Sequence, residues 1–165
     1  MWQLITCIAL LIAAAPALAQ EGGPGARTIF LHGGDDVAGG GYLYRRPLNR
    51  WAFGFDITQE GERRDLTRNQ NELVDATSFN AIVGIATPAG GRWGAALVGI
   101  IGLRSERTTC PYGQSYLGYR CFADTPAQDD WVGNFGVGLL FSVGRVSFGV
   151  RATDLNEAVS IGWNF

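Results

Sequence analysis

The chain has 165 residues, a formal net charge of −2 and only 17% charged residues. Neither the balance nor the distribution of charge offers the basic stripe that nucleic acid requires. The length suits one domain, and no internal repeat or low-complexity linker divides it. With 24 glycines and 12% aromatic residues, the composition points to small side chains on one face of the elements and large rings on the other.

Leu4 to Ala15 is an apolar run, and Ala17-Leu18-Ala19 is a small-residue cleavage site. Residues 1–19 therefore read as a secretory signal cleaved before Gln20, although Met1-Trp2-Gln3 supplies only the terminal amine as positive charge. A spanning helix needs about 20 apolar residues, and Pro16 interrupts this run. Cys7 lies ahead of most of the apolar run, which argues against a lipoprotein anchor. Residues 20–26 form a glycine-rich lead-in, and residues 27–165 the domain proper.

From there the pattern alternates with period two. Arg27–His32 is the first and weakest strand. Gly39–Arg46 follows, and Pro47-Leu48-Asn49 turns the chain back. Arg50–Gln59 sets Trp51, Phe53, Phe55 and Ile57 against Ala52, Gly54, Asp56 and Thr58. Thr77–Thr87 sets Phe79, Ala81, Val83 and Ile85 against Ser78, Asn80, Ile82, Gly84 and Ala86. Arg92–Arg104 is apolar on both faces and enters through the turn Thr87–Gly91. Trp131–Phe141 alternates Phe135, Val137, Leu139 and Phe141 with Asn134, Gly136, Gly138 and Leu140. Arg145–Thr153 follows a tight turn at Ser142-Val143-Gly144. Glu157–Phe165 ends the chain with Val159, Ile161, Trp163 and Phe165 on one face.

These are eight strands, an even number that puts both termini on one side. The connections at that side are short, whereas Glu60–Ala76 and Ser105–Asp130 at the other are long and charged. Alternation alone does not say which face points inward, since a soluble barrel of lipocalin type also alternates. The ring-bearing face is too bulky for a small lumen. The opposite face, mostly Gly, Ala, Ser and Asn with added Arg and Asp, suits a narrow polar interior. Tyr42, Tyr44, Trp51, Trp93, Trp131 and Trp163 lie near strand ends, where aromatic girdles belong.

On these residues, and on the terminal Val159-x-Ile161-x-Trp163-x-Phe165 pattern, the chain resembles the small outer-membrane β-barrels of the OmpA/OmpX/Opa type over about residues 27–165. The resemblance implies an all-β fold, an eight-stranded antiparallel transmembrane barrel with short periplasmic turns and long outer loops. It implies localisation as an integral outer-membrane protein, contact with membrane lipid and lipopolysaccharide, and delivery by the barrel-assembly machinery. That machinery would read Val159, Ile161, Trp163 and Phe165. The peptidoglycan-binding domain of full-length OmpA has no counterpart here. The reading favours a non-enzymatic structural or surface-interaction role with no open pore, no cofactor and no metal. The ligand at the surface is open.

Asp56 and Arg151, with Asn80 and Asn134, are expected in the barrel interior, where a charge needs a partner. Arg45, and with it Arg50 and Arg145, could join that network, but the solvated rim is the favoured place for these three. Cys110 and Cys121 fall in the longest loop, and export favours their pairing as a disulfide, worth up to about 3 kcal/mol in the chain-entropy account. The bridge would restrain a hairpin bearing Tyr112, Tyr116 and Tyr119, a candidate binding surface. It would equally serve as a staple against proteolysis. Arg63, Arg64 and Arg68 sit in an acidic loop with Glu60, Glu62, Asp65, Glu72 and Asp75. This is a solvated loop or a contact for cations or lipopolysaccharide phosphate. His32 is the single histidine. A His32–Ser78–Asp75 grouping would suit the lipid A acyltransferases and deacylases built on small barrels, the alternative function. No His-x-Ser pair or GxSxG supports it. A soluble secreted ligand-binding barrel is the remaining alternative.

Overall fold

A computed structural model of the protein describes residues 27–46, 49–65, 72–88, 93–109 and 128–165. Cys110, Cys121, Tyr112, Tyr116, Tyr119 and Arg68 lie outside these residues, as do positions 1–26. The chain forms eight strands: β1 Arg27–Gly34, β2 Val37–Arg45, β3 Trp51–Asp65, β4 Glu72–Ala86, β5 Trp93–Thr109, β6 Gln128–Val143, β7 Val146–Thr153 and β8 Glu157–Asn164. Each pairs antiparallel with its sequence neighbour. β1 closes the barrel on β8, from Thr28↔Asn164 to Gly33↔Val159. The two chain ends meet at one rim, where Phe165 N donates to Arg27 O at 2.9 Å.

Period-two sequences put successive side chains on opposite faces, and here the faces are inverted relative to a soluble barrel. Val159, Ile101, Phe135 and Phe55 point outward and are 65%, 62%, 60% and 56% exposed. Asn134, Ser78, Asp56 and Asn80 point inward and are buried. Outward rings pair along the wall, Trp93 with Phe141 at 5.6 Å and Phe79 with Trp131 at 5.8 Å between centroids.

The middle strands outrun the alternating pattern. β3 and β4 continue to Asp65 and from Glu72, and β5 and β6 to Thr109 and from Gln128. The sequence signal stops near Gln59, Thr77, Arg104 and Trp131 because the outer extensions carry charge on both faces, while the ladder hydrogen bonds that extend them are indifferent to side chain. A β-bulge between Gln59 and Glu62 sets Gly61 at φ 71°, a left-handed conformation that glycine adopts without a Cβ penalty. Gly61 N donates to Asp36 O at 2.9 Å. Beyond the bulge β3 meets β5 in a parallel pairing, Arg64↔Arg107 and Asp65↔Thr108.

Arg45 departs from the rim placement expected of it: it is 5% exposed, inside the barrel at the chain-terminal end. Its Nη1 lies 2.6 Å from where a Cβ on Gly94 would stand, so glycine opens the seat for the guanidinium. Arg50 and Arg145 are exposed. The interior is also less uniformly polar than the composition suggests. Phe30, Leu43, Ala52, Ile82, Ala86, Ala96 and Val98 form an apolar cluster, with Leu140 packed against it.

Candidate functional site

The inward alternation of β3 places Asp56, Thr58 and Glu60 on one face, and β4, β6 and β7 aim Asn80, Asn134 and Arg151 at them. Asn80 Nδ2 donates to Asp56 Oδ1 at 2.6 Å, and Arg151 Nη1 donates to Asp56 Oδ2 at 3.3 Å. Arg151 Nη2 donates to Glu60 Oε2 at 3.1 Å, and Asn134 Nδ2 to the same oxygen at 3.2 Å. Asn134 Nδ2 also donates to Asn80 Oδ1 at 2.9 Å, and the Thr153 hydroxyl donates to Glu60 Oε1. One guanidinium thus bridges two carboxylates, with amides and hydroxyls taking the remaining lone pairs. Buried charges require this. Toward the chain termini a second chain of bonds runs from Thr28 Oγ1 to Asn164 Oδ1 at 2.6 Å and from Ser147 Oγ to the same acceptor at 2.7 Å.

All four interior residues named from the sequence are in this network. Glu60, Thr153 and Ser160 were missed. Glu60 continues the phase of Asp56 and Thr58, so extending the alternation by one step would have placed it inside instead of in a loop.

His32 is brought to neither Ser78 nor Asp75 by a hydrogen bond. Its Nδ1 lies 2.7 Å from Ser160 Oγ, directly across the β1–β8 ladder, and its Nε2 lies 3.4 Å from Asp56 Oδ2. Ser78 is buried one position above Asn80, and its hydroxyl has no hydrogen-bond partner among the described residues. Asp75 is exposed opposite Glu62. Ser160, His32 and Asp56 are the residue types of a hydrolase triad, but the arrangement is closed in. Asp56 is already held by Asn80 and Arg151, and the His32 ring lies 4.8 Å from that of Phe30. A Cβ on the adjoining Gly41 would meet Asp56 Cβ at 2.6 Å and the Phe30 ring at 2.7 Å. The grouping ties β1, β3 and β8 together.

At the far rim, Arg63 Nη1 donates to Asp129 Oδ1 at 2.7 Å and to Thr108 Oγ1, joining β3 to β5 and β6. Arg107 Nε donates to Asp130 Oδ2 at 2.5 Å. That hydrogen bond and the charge of Asp130 hold the guanidinium above its ordinary range. Only the backbone of Arg64 is described, in its pairing with β4 and β5. No group of three or more His, Cys, Asp or Glu among the described residues could hold a metal ion.

The fold and interior define a class: a closed eight-stranded antiparallel barrel with buried charged and polar side chains inside and an apolar outer wall. No family model matches the chain, and no curated protein matches it. Among solved structures it is similar to the backbone structure of the Yersinia pestis outer membrane protein Ail in a phospholipid bilayer nanodisc. That match has 14% identity and a TM-score of 0.45, and covers 87% of this chain and 99% of that one.

Proposed function

We propose that this protein is an integral outer-membrane β-barrel with a structural or surface-interaction role and no open pore. The observation that carries the reading is the inverted wall: large apolar and aromatic side chains line the outside while Asp56, Glu60 and Arg151 are buried within. In water such a surface far exceeds the apolar patch a soluble monomer shows. In lipid it is what closure demands, since the eight strands pair around the ring and leave no open edge in the part they share. The filled lumen argues against both a channel and a soluble carrier of an apolar ligand.

In this reading the chain-terminal rim faces the periplasm, residues 1–19 are a cleaved signal, and Val159, Ile161, Trp163 and Phe165 are read by the barrel-assembly machinery. β3 to β6, at 15 to 17 residues, rise beyond the 8- and 9-residue β1, β2, β7 and β8 as a one-sided wall. That wall, with the Cys110–Cys121 loop and its Tyr112, Tyr116 and Tyr119, is the surface offered to lipopolysaccharide, other cells or the environment. Arg63, Arg64 and Arg68 are its candidates for phosphate.

The test is fractionation of expressing cells followed by gel electrophoresis with and without boiling. An outer-membrane band whose mobility shifts on heating supports the reading. A soluble periplasmic band with no shift would refute it.

A further inference from the structure

The outer wall is not evenly filled. Between β1, β7 and β8 lies a groove of about 530 Å³ whose walls are Leu31, Phe148, Val159 and Ile161. Gly33 stands in it without a side chain, and a Cβ there would meet nothing within 4 Å. The neighbouring Gly149 and Ser160 turn their side-chain positions inward, so the sheet itself forms the floor.

Directly above the groove the two short hairpins end in carboxylates. Asp35 is two residues beyond Gly33, and Glu157 two residues before Val159 on the same outward face. Two residues of strand are about 7 Å. Asp36 and Asp154 lie in the same two turns, and all four are exposed. The residues described in these two turns include no cation. Arg151, on β7, points inward and is taken by Asp56 and Glu60. The chain contains no lysine at all.

We propose that this groove seats one acyl chain of a membrane lipid whose head group carries a protonated amine, with Asp35, Asp36, Asp154 and Glu157 selecting that head group. The inference rests on the membrane placement proposed above. The volume suits a single chain and not a helix. An amine meets the rim with opposite charge, whereas a purely anionic head group is repelled by it.

The experiment refolds the mature chain into phosphatidylcholine nanodiscs containing equal phosphatidylethanolamine and phosphatidylglycerol of matched chains. Native mass spectrometry then reads the lipid retained on the released barrel. The expected result is roughly threefold enrichment of phosphatidylethanolamine, the scale of one or two exposed ion pairs. The enrichment disappears in the Asp35→Asn, Asp36→Asn, Asp154→Asn, Glu157→Gln variant and shrinks at high salt. Gly33→Leu puts a side chain into the groove, where a Cβ meets nothing within 4 Å, and lowers retention of both lipids. Equal retention by the wild type overturns the proposal, as does selectivity that survives removal of the four charges or filling of the groove. Failure of the chain to enter nanodiscs at all would instead count against the membrane reading itself. Heat-modifiability of each variant confirms that the barrel has closed.

Discussion

Replacing Arg151 by methionine tests the interior network most directly. The guanidinium is 4% exposed and bonds Asp56 at 3.3 Å and Glu60 at 3.1 Å. Methionine keeps the length and removes the charge, leaving two carboxylates without their cation. Breaking a buried pair from one side typically costs about 3–5 kcal/mol. Asp56 keeps Asn80 at 2.6 Å, and Glu60 keeps Asn134, Thr58 and Thr153, so the lower end of that range, about 3 kcal/mol, is expected. The combination Arg151→Met, Asp56→Asn and Glu60→Gln removes all three charges and should return to within about 1 kcal/mol of wild type, because the desolvation cost goes with them. Equilibrium urea unfolding in lipid vesicles, followed by tryptophan fluorescence, measures both. A single variant within about 0.5 kcal/mol of wild type would place these groups in water, where exposed pairs are worth that little. A triple variant as unstable as the single one would show that Arg151 acts by packing, not by charge.

The outward face is tested by Ile101→Arg, midway along β5, which should cost about 2–4 kcal/mol in vesicles. Arginine at exposed Glu62, beyond the apolar band, should change stability by under about 0.5 kcal/mol. Gly41→Leu forces a side chain against the Phe55 carbonyl, Asp56 and the Phe30 ring, and should cost about 1–3 kcal/mol in the same assay. Planar-bilayer recording of the wild type should give no steady conductance, and a stable ohmic channel would contradict a filled lumen. Intact-mass analysis after alkylation without reductant should leave Cys110 and Cys121 unmodified. Their double serine variant should lose up to about 3 kcal/mol.

The strands were legible wherever one face met lipid and the other the lumen, because that contrast writes a period of two into the sequence. Trp51-x-Phe53-x-Phe55-x-Ile57 is such a stretch, and Asp56, between its outward Phe55 and Ile57, is buried. The pattern fails where both faces meet water, so Glu62 to Asp65 read as loop although the ladder continues through them. Arg45 was misplaced for a different reason. Its seat depends on the missing side chain at Gly94, some fifty residues away and three strands over, and no local pattern reports that. His32 lies beside neither of the partners the sequence offered: Ser160 reaches it only through closure of β1 on β8, and Asp56 from two strands over, across β2.

The glycines follow from the same closure. In a barrel this narrow many large inward side chains are seated beside a glycine on one of the two neighbouring strands. Phe30 stands across from Gly41 and Gly162, His32 from Gly39, and Leu43 from Gly54. Asp56 faces Gly41, Asn80 and Asn134 both face Gly102, Arg151 faces Gly138 and Leu140 faces Gly149. This pairing of bulky with bare positions also fixes the register. A one-residue slip turns the apolar face inward and is excluded by the alternation. A two-residue slip of β2 against β1 preserves the faces, but sets Phe30 against Leu43 in one direction and His32 against Val37 in the other. Both outcomes move a large inward side chain off its glycine neighbour and crowd the interior there. The glycine content is therefore the sequence trace of a specified, filled interior, and the charged network it accommodates can form in only one alignment of the strands.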